Sequence, residues 1–280
     1  MEKRILVLSP STLNDVQTCD RKYYFLKLLG LTTPGEKSEA LLRGNFIHKC
    51  LEHFYFLVRD NHGLTYSEKI LDTINYGRTV SIDYDLQTEQ IEHFLFVIRE
   101  YCLYYQVDKW EPVEIESPFS YTLFEDNELV LMFEGRVDLV VKSSSGMMIV
   151  DHKSESRDDG TPTSISNQFM GYAYIGSQMG FSLIVCANRI GIQKTKAPQE
   201  RFQRSFLSYT QPVLEEWRQS VIYWAKNIIK CENESYFPPR FVSCKWCSFK
   251  SICETDPSLR EWKLKSFPQK EKYDLFGREV

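Results

Sequence analysis

Glu134-Gly135-Arg136-Val137-Asp138-Leu139-Val140-Val141, Lys142-Ser143-Ser144-Ser145-Gly146 and Met147-Met148-Ile149-Val150-Asp151-His152-Lys153 form the continuous stretch around which the chain is organised. Two runs rich in Val, Ile, Leu and Met flank a Ser/Gly cluster, the pattern of two antiparallel strands and their turn. With Ser144 and Ser145 as the loop residues, Ser143 faces Gly146, and stepping outward along the ladder sets Asp138 opposite Asp151. Lys153 follows Asp151 by two residues, so it shares that face and comes opposite Arg136. Two acids and two bases then meet on otherwise apolar strands. A divalent cation between the acids and a phosphate near the bases would account for them, because Mg²⁺ is commonly held by one or two carboxylates plus phosphate oxygens.

Asp-x-Lys alone carries little information. It recurs at Asp20-Arg21-Lys22, and with Glu at Glu261-Trp262-Lys263. The upstream Asp138, at hairpin distance on a hydrophobic strand, is what sets the third instance apart.

The 280 residues suffice for one catalytic unit, and 42% hydrophobic with 26% charged residues is ordinary for a soluble globular chain. A net charge of -4 excludes a protein held to nucleic acid by bulk electrostatics, so any basic surface must be local. Ile5-Leu6-Val7-Leu8 is too short for a signal-peptide core or a membrane span, so a cytoplasmic location without a membrane partner is expected. In a reducing compartment, eight cysteines read as core thiols or metal ligands rather than disulfides.

After a short opening strand, Ser9-Pro10-Ser11-Thr12-Leu13 has the form of a helix start, with Ser9 or Ser11 as cap. The expected helix continues through Cys19 towards Leu29, and Cys19 by itself reads as a small buried hydrophobe. A loop with Pro34 and Gly35 precedes helical spacing from about Glu36 to Arg59, in which Gly44, His48 and Glu52 stack on one face. Alone, His48 reads as a histidine satisfied by Glu52. Residues 60–88, with Gly63 and Gly77, read as turns and a short helix, and about Glu89 to Val107 as a scaffold helix. A strand from Pro112 to the turn at Glu125-Asp126-Asn127 puts Glu114 and Glu116 on one face, either a solvated edge or part of a site.

Beyond the hairpin, Glu155 to Ser166 has the composition of a loop that admits substrate. The next helix carries Gln168 and Tyr172 four residues apart on one side, and Phe181 to Asn188 reads as a buried strand. Arg189, Lys194, Lys196, Arg201 and Arg204, against Glu200 alone, form the best candidate in the sequence for a phosphate-backbone track. Val213 to Lys230 is an amphipathic helix. Cys244, Cys247 and Cys253 then follow as C-x2-C-x5-C, a strong metal signal. Cys50, Cys102 and Cys186 lie in apolar runs, which leaves Cys231 and Cys19 as sources of a fourth thiolate.

Taken together, these residues resemble the RecB-like branch of the PD-(D/E)xK nucleases, especially its iron-sulfur members in bacterial AddB subunits, CRISPR adaptation nucleases and phage exonucleases. The resemblance covers nearly the whole chain. Gly44 and His48 match a Gly-x-x-x-His helix, Gly135 and Asp138 a Gly-x-x-Asp strand, Asp151 and Lys153 the Asp/Glu-x-Lys motif, and Gln168 and Tyr172 a Gln-x-x-x-Tyr helix. Cys19 with Cys244, Cys247 and Cys253 matches the iron-sulfur pattern, one Cys after an N-terminal helix start and three near the C-terminus.

The resemblance implies an α/β fold with a restriction-endonuclease-like core: a mixed central β-sheet flanked by helices, a helical N-terminal part and a Cys-clasped C-terminal segment. It implies a single nuclease domain over 1–280, helical over about 9–110, with the catalytic sheet over about 111–230 and the iron-sulfur segment over about 231–260 paired with Cys19. The implied activity is that of a metal-dependent, stand-alone exonuclease acting on single-stranded DNA ends in repair, recombination, phage replication or CRISPR adaptation. Asp138, Asp151, Lys153, Gln168 and Tyr172 would be its catalytic residues. His48, Asp138, Asp151 and the His152 carbonyl would hold one or two Mg²⁺ or Mn²⁺ ions, and Cys19, Cys244, Cys247 and Cys253 a [4Fe-4S] cluster. Glu116 would be a metal ligand or stand just behind one. The alternative is a catalytically silent or partner-dependent DNA-binding subunit of a repair or adaptation complex.

Overall fold

The computed structural model describes residues 3–32, 38–144, 146–156 and 164–269. In chain order the elements are β1 (Arg4–Leu8), α1 (Pro10–Thr18), α2 (Asp20–Tyr23), α3 (Glu39–Asp60), α4 (Tyr66–Val80), α5 (Thr88–Tyr104), β2 (Glu111–Glu125), β3 (Leu129–Ser143), β4 (Gly146–Glu155), α6 (Asn167–Gln178), β5 (Ile184–Gly191), α7 (Pro198–Arg201), β6 (Phe202–Ser208), α8 (Gln211–Asn233), α9 (Lys250–Glu254) and α10 (Arg260–Leu264). They form two compact units, each discontinuous in sequence. One comprises Met1–Glu36, Ser120–Gly135 and Glu215–Val280, the other Lys37–Phe119 and Arg136–Leu214. The helical part expected over about 9–110 is therefore shared between them.

The unit containing Lys37–Phe119 holds the organising hairpin. Its ladder runs from Ser143↔Gly146 to Leu139↔Val150, the register expected from a Ser144/Ser145 loop, although Ser145 itself lies outside the described residues. β4 pairs parallel with β5, and β5 antiparallel with β6, so the sheet is mixed. On one face Leu139, Val141, Met148, Val150 and Cys186 pack with Ile115 against Tyr55 and Phe56 of α3. On the other, Val140 and Ile149 line a cavity together with Tyr172 and Ile175 of α6. β4 is thus apolar at successive positions, because helices cover both faces. The result is the α/β class expected, a mixed central sheet flanked by helices.

Residues 60–88 hold more helix than expected. α4 spans four turns and opens with a capping box in which Thr65 and Glu68 satisfy each other's backbone amides. Gly77 sits inside it because α5 passes close by; a Cβ there would lie 2.4 Å from Leu95 Cδ2. The buried strand begins at Ile184 rather than Phe181. Pro34 and Gly35, and residues 157–163 of the expected substrate loop, lie outside the described residues.

In the unit containing Met1–Glu36, β1 runs parallel to the first part of β3, from Arg4↔Leu129 to Leu8↔Phe133. Ser9 caps α1 by accepting from the Thr12 amide. The helix does not continue to Leu29. Cys19 adopts extended backbone (φ -169°, ψ 122°), so α1 stops at Thr18, α2 restarts at Asp20, and a π-helical turn follows over Tyr24–Leu28. Here the Cys19 sulfur accepts the Arg240 amide at 3.4 Å. Asp20 accepts from Asn227 at 2.7 Å and pairs with Arg240, so this Asp-x-Lys instance is a structural tie. Among the described residues no helix is long and apolar enough to cross a membrane.

Candidate active site

Where the β3–β4 ladder ends, the backbone of His152 takes over. Its N–H donates to Asp138 Oδ2 at 2.6 Å, and its carbonyl accepts from His48 Nε2 at 2.8 Å. With Nε2 donating, His48 turns Nδ1 towards Asp138 Oδ1 at 3.5 Å and Glu116 Oε1 at 3.8 Å. The ligand atoms of His48, Glu116 and Asp138 all lie within 4.8 Å of one another, the one such group of His, Cys, Asp or Glu among the described residues. One imidazole and two carboxylates form a donor set for a hard or borderline divalent cation.

Electrostatics prepare this set. Burial pushes the His48 imidazole down, but its hydrogen bonds and charge interactions with Asp138 and Glu116 outweigh that and raise it to about 10. Burial works against ionisation of Asp138 too, yet His48 and the His152 amide leave it below the usual carboxylate range. The proton on His48 therefore stands where a cation would, between two carboxylates. Glu116 enters the set through an unusual backbone. Its φ of 47° lies in the left-handed region, one of two non-glycine cases among the described residues. The kink breaks the alternation of β2, so Glu114 and Glu116 do not share a face as expected. Glu116 lines a cleft with Gly44, His48, Glu52, Lys49, Tyr84 and Arg136, whereas Glu114 borders the cavity next to Phe119 and Tyr172.

Asp151 stands outside that three-residue group. It is 1% exposed, and its carboxylate is shared between Lys153 Nζ at 2.8 Å and Gln168 Nε2 at 2.8 Å. Gln168 also accepts from Lys153 at 3.0 Å and donates to the Tyr172 hydroxyl at 3.0 Å, which donates in turn to the Arg136 carbonyl at 2.9 Å. Burial, then the charge of Asp138, push the Asp151 carboxyl up against the opposing pull of Lys153. The four-residue spacing of Gln168 and Tyr172 thus ties α6 to both strands of the hairpin.

The His152 ring faces away from these acids. It stacks on Tyr55 at 5.6 Å and meets Asn188 Nδ2 through Nδ1 at 2.7 Å, while Asn188 donates to Tyr101 at 2.6 Å. Burial holds this imidazole neutral, down to about 3. The three arginines of the basic run over 189–204 are engaged inside the protein rather than lined up as a phosphate track. Arg189 pairs with Glu155, Arg201 is buried over the Phe202 ring, and Arg204 lies 3.6 Å from both the Tyr105 and Trp110 rings with Asp108 at 2.6 Å. The partners of Arg189 and Arg204 are distant in sequence, so the run alone did not reveal their engagement.

A model of the PD-(D/E)XK nuclease superfamily matches residues 7–254. The chain belongs to the PD-(D/E)XK nuclease superfamily. As a superfamily nuclease it has DNA as its substrate class and divalent metal as its cofactor class, and the His48, Glu116 and Asp138 donor set fits such an ion. No curated protein matches the sequence significantly. Among solved structures the chain is similar to SSO0001 (15% identity, TM-score 0.37, covering 76% of this chain and 95% of that one). It is also similar to a "Putative exonuclease" from Eubacterium rectale (14% identity, TM-score 0.49, covering 86% and 85%).

The other unit carries the cysteine set. Cys19, Cys244, Cys247 and Cys253 line one cavity together with Arg21, Phe25 and Phe249. Cys50, Cys102 and Cys186 are buried in the core, as expected, and Cys231 is buried near the end of α8.

Proposed function

We propose that this nuclease is a metal-dependent exonuclease that hydrolyses phosphodiester bonds from the ends of single-stranded DNA. The observation that carries the reading is the convergence of His48, Glu116 and Asp138 beside an Asp151–Lys153–Gln168–Tyr172 network. On this reading His48, Glu116 and Asp138 would hold Mg²⁺ or Mn²⁺, with Asp151 and the His152 carbonyl as further oxygen donors, and the bound ion would supply an acidified water and charge to offset that building on the phosphate. Lys153, anchored by Asp151 and Gln168, orients that nucleophile or meets the developing negative charge. Gln168 and Tyr172 position Lys153 and the strand. An imidazole donor favours Mn²⁺ over Mg²⁺, so Mn²⁺ supports the faster reaction.

Cys19, Cys244, Cys247 and Cys253 hold a [4Fe-4S] cluster on the same reading, which supports a RecB-like, iron-sulfur placement within the superfamily. The four cysteines line one cavity, as a shared inorganic group requires.

The test is cleavage of single-stranded DNA labelled at its 5′ or 3′ end, with protein kept under nitrogen, in Mn²⁺, Mg²⁺ or EDTA. Metal-dependent shortening from one end, absent in Asp138→Ala and Asp151→Ala while DNA binding persists, is the expected result. Turnover by either variant defeats the assignment. Bound but intact DNA would move the reading to a silent or partner-dependent subunit.

A further inference from the structure

The six-residue 3-10 turn Phe241–Trp246 carries Cys244 and leads into Cys247. Its apolar side chains point the wrong way for a core. Phe241 is 79% exposed, Val242 93% and Trp246 87%. The arrangement follows from the spacing. A C-x2-C loop that turns both sulfurs into one cavity turns the two intervening residues, here Lys245 and Trp246, outward. Packing makes no demand on either position, yet one of them is a tryptophan. A cluster of exposed large apolar side chains on a short segment marks a binding surface rather than a scattered exception.

Charge identifies the occupant. From Arg240 to Cys253 the chain carries Arg240, Lys245 and Lys250 and no acid, in a protein whose net charge is -4. Arg240 is engaged with Asp20 and the Trp224 ring, and Lys250 pairs with Glu254 at 3.3 Å. Lys245 lies 5.2 Å from the Trp246 ring centre, and both are exposed. An exposed aromatic face with a lysine beside it, on a stretch without acids from Arg240 to Cys253, suits a polyanion that also presents flat apolar faces. Single-stranded nucleic acid is that ligand, since each base has a face to stack and each linkage a charge to meet.

We infer that Phe241, Lys245 and Trp246 form a stacking platform for single-stranded DNA, borne on the same turn that presents Cys244. This rests on the single-strand reading above and adds the surface that grips the strand. The platform reads base faces, so it binds without sequence preference and weakens as salt rises.

The test uses the full-length protein in EDTA, where no cleavage occurs, titrated into fluorescein-labelled dT20 with anisotropy as signal and tryptophan quenching measured in parallel. Trp246→Ala is expected to weaken binding about tenfold, the loss of one base stack. Phe241→Ala has a similar effect, and Trp246→Phe restores most of the affinity. Lys245→Ala reduces the salt slope by about one phosphate contact. Because the replaced side chains are exposed, an unchanged melting temperature separates lost contact from lost fold. Equal dT20 affinity in wild type, Trp246→Ala and Phe241→Ala overturns the platform while leaving the nuclease reading intact. Wild type that cleaves duplex ends but fails to bind dT20 overturns both the platform and the single-strand preference. Self-association at micromolar concentration, abolished by Trp246→Ala without effect on dT20 binding, assigns the surface to a second copy and overturns the platform.

Discussion

His48 Nε2 donates to the His152 carbonyl at 2.8 Å, and this bond decides which nitrogen of His48 faces the acids. Nδ1 is left between Asp138 and Glu116, where a proton now holds the place of a cation. The group is charged below about pH 10, so a metal ligated by Nδ1 must release that proton. Apparent Mn²⁺ affinity should therefore tighten up to about tenfold per pH unit between pH 7 and 9, with one proton released per ion. Calorimetry in buffers of different ionisation enthalpy measures both. A pH-independent affinity would remove His48 from the ligand set.

Asp151 offers a stability test of the opposite sign from an ordinary surface carboxylate. Its folded-state pKa is raised, so the folded protein binds the extra proton, and stability falls as pH rises from the unfolded carboxylate range through the folded value. In EDTA, Asp151→Asn should be more stable than wild type at pH 8 by about 1–3 kcal/mol, with the gain fading below about pH 4, while cleavage is lost. Thermal melts at pH 4 and pH 8 decide it. A variant that melts lower than wild type at pH 8 would count against a net cost for the buried charge.

Glu114 and Glu116 should separate cleanly, because the left-handed kink at Glu116 sends their side chains to different places. Glu116→Gln is expected to lower Mn²⁺-dependent turnover by about a hundredfold or more, within the several kcal/mol that metal-borne charge stabilisation supplies. Glu114→Gln should retain turnover within a few-fold. Initial rates at saturating Mn²⁺ and DNA compare them, and equal effects would return the pair to a common face.

Arg204 is expected to matter to the fold and not to DNA. Removing its guanidinium leaves Asp108 without its partner and empties the space between Tyr105 and Trp110. Arg204→Ala should cost about 1–3 kcal/mol of stability, the loss of a charge-assisted bond and of packing between two rings, without changing the salt dependence of DNA binding. A lowered salt slope in the folded variant would restore this run as a phosphate track.

The cysteine proposal predicts a brown protein. Anaerobically purified material should absorb in the visible and carry about four irons per chain, as expected of a four-thiolate [4Fe-4S] centre. Cys19→Ala or Cys253→Ala should lose the colour and melt at lower temperature. A colourless wild type with zinc bound one to one would replace the cluster by a single ion.

Much of the site was legible because its elements are local. The hairpin register follows from a two-residue loop between apolar runs, and the ladder from Ser143↔Gly146 to Leu139↔Val150 obeys it. Helical spacing brought Gly44, His48 and Glu52 into one cleft and set Gln168 beside Tyr172. The Thr65-x-x-Glu68 capping box was also present in the sequence as a signal for α4, but Gly63 and Gly77 suggested turns. Gly77 makes sense only once α5 lies against it.

The sequence by itself determined the order of the motifs, the pairing of β3 with β4 and the chemistry available, because period and turn length act over a few residues. Tertiary structure decided which acids stand together. Glu116 joins His48 and Asp138 only through a positive φ that no residue type announces, and Asp151 turns to Lys153 and Gln168 because α6 packs over the hairpin. It also decided the fate of Arg204 and the break at Cys19, since their partners lie far along the chain and are brought near only by packing.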